Sequence, residues 1–255
     1  MNSSTIKADK RGRTGRIVLD RPEVLNALSP DMNREIREAV KKFSQDDDIH
    51  VLVITGSGNA FCSGADLEWL GNQANSVTEV KDIMSSFHRT ITEIHECPMP
   101  VIAAVNGAAV GGGFSLALLA DIILASDTAF FEHSFVRIGL IPDLASMYFL
   151  PRKIGSQKAR ELFLRAERID AATAKEIGLV AEVTESEEFP DLVQQWATEL
   201  TELSPGALNR TKALLNRSLT TDLQTFLQLE ANEQAQRIQS EDHQTRVSSF
   251  LEGEN

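Results

Sequence analysis

The sequence is most informative at first in what it lacks. Its 255 residues include two cysteines, two tryptophans and one tyrosine. Cys62 and Cys97 lie far apart, and no C-x-x-C or zinc-type Cys/His spacing occurs, so no metal site is expected. Two remote thiols suit a reducing compartment. Basic residues are in deficit: 25 Lys and Arg against 37 Asp and Glu give a formal net charge of -12, which excludes a general nucleic-acid binder. "MNSSTIKADK" has no apolar h-region, so no secretory signal is expected, and the expected location is cytoplasmic. Cys97 to Ala120 carries no charge, but Pro98, Pro100, Asn106-Gly107 and three consecutive glycines rule out a spanning helix of about twenty residues. No membrane partner is expected. Phosphate-loop chemistry is missing too: "GSGNAF" lacks the third glycine of G-x-G-x-x-G, and no G-K-[ST], G-x-S-x-G or H-E-x-x-H occurs.

What is present is an alternation of strand and helix. "GRIVLD" (15–20), "IHVLVITG" (49–56), "PVIAAVNG" (100–107) and "DIILAS" (121–126) read as strands. Ser29 and Pro30 predict the cap and first position of a helix whose Met32, Ile36, Ala39, Val40 and Phe43 share one face. A second helix is predicted over 77–96, with Val80, Met84, Phe87, Ile91 and Ile94 inward. "GGGFSLALLA" opens a third. From Gln157 onward the pattern is almost all helical, with Asp170, Ser204 and Asp222 as caps. The expected fold class is α/β with parallel pairing.

Two glycine-rich turns follow strands and open helices: "AFCSGADLEWL" (60–70) and "NGAAVGGGFSLAL" (106–118). Each exposes backbone N–H groups near a helix N-terminus. Facing one another, they would form a pair of donors for a polarised carbonyl oxygen; each taken alone is also explained by tight packing. "IGLIPDLASMYFLP" (138–151) holds one acid, Asp143, in apolar company. Either it works in a desolvated pocket, where burial raises a carboxylate's basicity, or it caps the helix that follows.

These segments together resemble the crotonase (enoyl-CoA hydratase/isomerase) superfamily, in the family's order: "LDRPEVLNAL", "VLVITGSGNAFCSGADL", "PVIAAVNGAAVGGGFSLALLADIILAS", "IGLIPD" and "AKEIGLV". The resemblance implies a spiral of β-β-α turns over residues 1–195 and a helical C-terminal trimerisation region over 196–255. It implies a homotrimer or hexamer, acyl-CoA thioester substrates and no cofactor beyond the coenzyme A of the substrate. By position, the N–H groups of Ala65 and Gly112 form the oxyanion hole. Ala65, Asp66, Leu67 and Glu68 line the coenzyme A arm, and Phe135 the acyl pocket.

The sequence departs from the hydratases of that family. Their two catalytic glutamates fall on Ser115 and Phe135. The remaining acid, Asp143, resembles the single aspartate of the ring-1,2-epoxyphenylacetyl-CoA and Δ3,Δ2-enoyl-CoA isomerases, which points to allylic proton transfer. A hydratase with an atypical site is one alternative. Another follows the 4-chlorobenzoyl-CoA dehalogenases: Asp143 as nucleophile of a dehalogenase or thioester hydrolase, with His88 as base. A CoA-ester-binding or assembly protein without turnover is the alternative of another class. Minor features are His133 as a neighbour of the pocket, Trp69 and Tyr148 as pocket or core aromatics, Glu132 as a solvent-facing acid, and Arg21, Arg152 and Lys153 as partners for coenzyme A phosphates.

Overall fold

The computed structural model describes residues 4–66 and 76–253. β1 (Ile6–Arg11) and β2 (Thr14–Leu19) form an antiparallel hairpin. α1 (Pro30–Ser44) follows, capped by Ser29, whose Oγ accepts from the Met32 N–H at 3.2 Å. Met32, Ile36, Ala39, Val40 and Phe43 are all buried along it, and the larger of these contribute about 1.5–3 kcal/mol each.

The chain then winds in a spiral. Each turn lays one strand in a large sheet, a short strand in a small sheet, and then a helix. β3 (Val51–Gly56), β4 (Ala60–Cys62) and α2 (Val77–His95) make the first turn. β5 (Val101–Val105), β6 (Ala108–Val110) and α3 (Gly112–Leu118) make the second. In the third, β7 (Ile122–Ser126) and β8 (Phe130–Glu132) lead through a 3-10 turn at Phe135–Ile138 to α4 (Ser146–Ile154). α5 (Ser156–Arg165), β9 (Arg168–Asp170), α6 (Ala171–Glu176) and β10 (Glu182–Thr184) close the spiral. The large sheet has the order β1-β2-β3-β5-β7-β10 and the small one β4-β6-β8-β9. Apart from the β1–β2 and β8–β9 pairs, the strands run parallel. β5 is buried at every position, as expected of a parallel strand covered on both faces.

Six of the ten strands among the described residues escape the sequence reading. β4, β6, β8, β9 and β10 have three residues each, too few to show a period. β1 carries Lys7, Asp9, Lys10 and Arg11, as an edge strand can. The stretch after Gln157 is therefore less helical than expected. The boundary expected between residues 195 and 196 falls inside α7 (Phe189–Glu202). Phe189 and Ala197 of that helix are both buried against Val51, Val53 and Ile102 of the large sheet. Beyond α7 run α8 (Pro205–Ser218), α9 (Leu223–Ile238) and α10 (Glu241–Glu252). Lys212 pins α8 to the core: its Nζ lies 2.7 Å from Asp121 Oδ2 and donates to the Met99 carbonyl at 3.0 Å. α9 and α10 bury no residue, and Leu223, Phe250 and Leu251 stand exposed on them. Among the described residues no helix is long and apolar enough to cross a membrane.

Candidate active site

The two glycine turns meet. Gly64 follows β4 with φ +98°, a conformation side chains disfavour, and a Cβ there would come within 2.8 Å of the Val110 carbonyl and 3.2 Å of the Gly112 nitrogen. A Cβ on Gly113 would lie 2.1 Å from the Cys62 carbonyl. Glycine is thus required where the start of α3 crosses the end of β4.

The hydrogen bonding frees one N–H on each side. The Leu28 N–H donates to the Gly64 carbonyl at 2.7 Å and the Asp66 N–H to the Leu28 carbonyl at 3.0 Å, a parallel bridge of Leu28 to Ala65. That bridge uses the peptide groups flanking Ala65 and leaves Ala65's own N–H on the opposite side. Gly112 is the first residue of α3, so its N–H has no intrahelical acceptor. Among the described residues neither N–H meets a protein acceptor. Leu25 and Asn26 prepare the bridge with φ of 53° and 57°. Asn26 holds that turn through its buried side chain, accepting from the Arg21 N–H at 2.9 Å and donating to the Ser57 and Ala60 carbonyls at 2.9 and 2.8 Å.

Ala65, Gly112, Phe135 and Asp143 line one cavity of about 180 Å³. Ile83, Met84 and Phe87 of α2 form one wall, and Ile138, Leu140 and Leu144 another. Ser63, Ser134 and Asp143 supply its only polar side chains among the described residues. Met84 and Phe87, expected as core positions of α2, are half-buried because they face this cavity. Their helical period could not distinguish a core from a cleft.

Asp143 does not cap a helix. Leu144 and Ala145 follow it in the left-handed region, at φ 49° and 60°, and α4 begins only after Ala145. Two non-glycine residues there cost roughly 1–2 kcal/mol each; such strain persists where surrounding structure enforces it. The result turns the carboxyl away from the helix. Asp143 Oδ1 is buried without a hydrogen-bond partner. Burial pushes the carboxyl up to about 6, against a small opposing effect of its own backbone N–H. The site therefore joins a desolvated carboxylate base to two free N–H donors, the parts needed to take a proton from the carbon next to a carbonyl.

Other expected residues land elsewhere. His88 is exposed on α2 and stands outside the cavity, where Phe87 takes the inward place. Ser115 is buried and donates to the Gly111 carbonyl at 3.2 Å. Glu132 is not solvent-facing: it is buried and bonded to Arg168 Nε at 2.8 Å, with Arg137 Nε at 3.7 Å. His133 is buried between Phe114 and Phe163, at ring distances of 4.3 and 4.6 Å, with neither nitrogen bonded. Desolvation holds it down at about 3. Arg21 is engaged by Asp66 at 3.0 Å, Lys153 by the Ala120 carbonyl at 2.8 Å, and Arg152 by the Tyr148 ring and carbonyl. Tyr148 is 41% exposed and outside the cavity, neither core nor pocket wall. Both cysteines are buried, and burial pushes the Cys62 thiol up to about 12. Leu67, Glu68 and Trp69 lie outside the described residues.

The profile of one protein family, enoyl-CoA hydratase/isomerase, matches residues 10–255. A probable enoyl-CoA hydratase of Rhodobacter capsulatus is 36% identical over 99% of this chain and 96% of its own. A 1,2-epoxyphenylacetyl-CoA isomerase of Escherichia coli K12 is 35% identical over 92% of this chain and 90% of its own. Among solved structures, an enoyl-CoA hydratase/isomerase from Cupriavidus metallidurans CH34 superimposes with a TM-score of 0.93 at 34% identity, covering 99% of this chain and 95% of that one.

Proposed function

The chain belongs to the enoyl-CoA hydratase/isomerase family, whose members act on acyl-CoA thioesters, and we propose that it is an isomerase working through one carboxylate. The thioester oxygen accepts from the Ala65 and Gly112 N–H groups. Asp143 takes a proton from C2 of a 3-enoyl thioester; the C2–H electron pair becomes part of an enolate held by those two donors. The same carboxylic acid then returns the proton to C4, and the double bond moves from C3–C4 to C2–C3. Proton and electrons balance without an oxidant, so the step requires no redox cofactor. The apolar walls desolvate the carboxylate, and no cation among the described lining residues neutralises it.

The observation that carries this reading is that Asp143 is the one titratable side chain among the described residues lining the cavity. Hydration, the activity in several relatives' names, needs a second group to activate water; here Ser115 is buried on the Gly111 carbonyl and Phe135 has no proton to exchange. We propose further that the protein assembles as a homotrimer or hexamer through the exposed apolar face of α8–α10, with Leu215, Leu223 and Phe250 among its contacts. The two unpaired thiols suit the cytoplasm.

A paired assay tests the reaction. With 3-hexenoyl-CoA the conjugated-thioester absorbance should rise; with crotonyl-CoA it should stay constant. Loss of absorbance from crotonyl-CoA would establish hydration and overturn the one-acid reading.

A further inference from the structure

The charges of the cavity restrict its ligand as much as its shape does. No Lys, Arg or His lines it among the described residues. Residues 67–75, "LEWLGNQAN", contain none either, so no placement of that segment supplies a cation. The arginines nearby are committed elsewhere: Arg21 to Asp66 and the Ala27 carbonyl, Arg137 to the Ala166 carbonyl and Glu132. An acyl group ending in a carboxylate would meet Asp143, a like charge, with no counter-ion to replace its water.

The size of the cavity bounds the acyl group from the other side. Its volume of about 180 Å³ slightly exceeds that of an apolar cavity of about 150 Å³ that takes up benzene. On the same scale, in which a water-sized group fills about 30 Å³, it holds on the order of six to eight carbons. Each methylene buried against its walls should improve affinity about fourfold.

We infer that this site selects uncharged hydrocarbon acyl groups of ring size, on the order of six to eight carbons, and refuses thioesters of dicarboxylic acids. The inference rests on the acyl-CoA reading above and adds the class of acyl group. Leu140, 44% exposed at the rim, is where a cation could be introduced without disturbing the core.

Calorimetric titration with saturated thioesters separates this inference from the proposed reaction, because these esters carry no double bond to move. Hexanoyl-CoA and phenylacetyl-CoA should bind at least thirtyfold more tightly than acetyl-CoA, allowing some loss from about fourfold per methylene. Glutaryl-CoA should bind no better than acetyl-CoA. Leu140→Arg should tighten glutaryl-CoA about tenfold, the size of a modest charge-assisted contact. Glutaryl-CoA binding the unmodified protein as tightly as hexanoyl-CoA overturns the charge rule. A continued fourfold gain per methylene from octanoyl- to dodecanoyl-CoA overturns the size limit. If the discrimination holds but 3-hexenoyl-CoA is not converted, the isomerase reading fails and this inference stands. If the folded protein binds none of the esters, both fall.

Discussion

Glu132 and Asp143 are two acids on one stretch of chain, the first buried and the second half-buried, and the protein treats them in opposite ways. Glu132, at the end of β8, is held by Arg168 at 2.8 Å with Arg137 behind it. Asp143, in the cleft wall, has a buried oxygen without a partner and a proton affinity raised by burial. Paired burial is structural: the arginines replace the water that Glu132 gives up. Unpaired burial destabilises the fold and persists here at a point where two left-handed residues also store strain. The comparison separates an acid that holds the fold together from one that is available to a substrate.

The largest expected effect breaks the comparison on the cleft side. Asp143→Asn should lower kcat for 3-hexenoyl-CoA by roughly 10³–10⁴, with thioester affinity nearly unchanged in a direct binding titration. In the unmodified enzyme kcat/KM should rise with pH to a plateau with a midpoint near 6, because the ionised carboxylate is the base. Full turnover by the variant would remove Asp143 from the chemistry. Next comes the donor side. Gly112→Pro deletes one N–H at a first helical position that accepts proline, and should cost about 10²–10³ in kcat. Gly112→Ala is its control, since it keeps the N–H and tests only the crowding of Leu28 and Leu144, 3.3 Å from a new Cβ.

The same Asp143→Asn variant sharpens the comparison in stability. The folded carboxyl sits at about 6 against 3.8 for the free group. A raised pKa favours the fold fully below 3.8, and that contribution is lost as pH rises through 6. The variant should therefore be more stable than the parent by about 3 kcal/mol at pH 7.5, and nearly equal to it at pH 3.5, in urea titrations. A base tests the same rule. His133, next to Glu132, has neither nitrogen bonded and sits at about 3 against 6.5. The unfolded chain takes its proton first, so stability falls as pH drops below 6.5. His133→Phe should recover about 2 kcal/mol at pH 5 and little at pH 8. Last, Glu132→Gln leaves two arginines short of a partner, but both are 60% exposed and hydrated. The expected loss is about 1 kcal/mol, with kcat changed by no more than a few-fold; a rate loss matching that of Asp143→Asn would erase the distinction.

By itself the sequence determined whatever depends on near neighbours. Ser29, Asp170, Ser204 and Asp222 cap the helices they precede, because a cap bonds within its own first turn. The apolar face of α1 and the buried run of β3 were legible from periodicity alone. The two glycine turns and the isolated acid stood out by composition. Tertiary structure alone decided the rest. Strands of three residues form because a neighbouring strand is already there to receive them. His88 and Phe87 are adjacent on α2, yet the helix turns only Phe87 into the cleft. Above all, the sequence marked Asp143 as an acid in apolar company and placed Glu132 in solvent; only the tertiary structure buried Glu132 on an arginine and left Asp143 Oδ1 buried without a partner. Pairing and desolvation depend on groups brought together from far along the chain: Arg168 through the β8–β9 ladder to Glu132, and Gly64 against Gly112 beside Asp143.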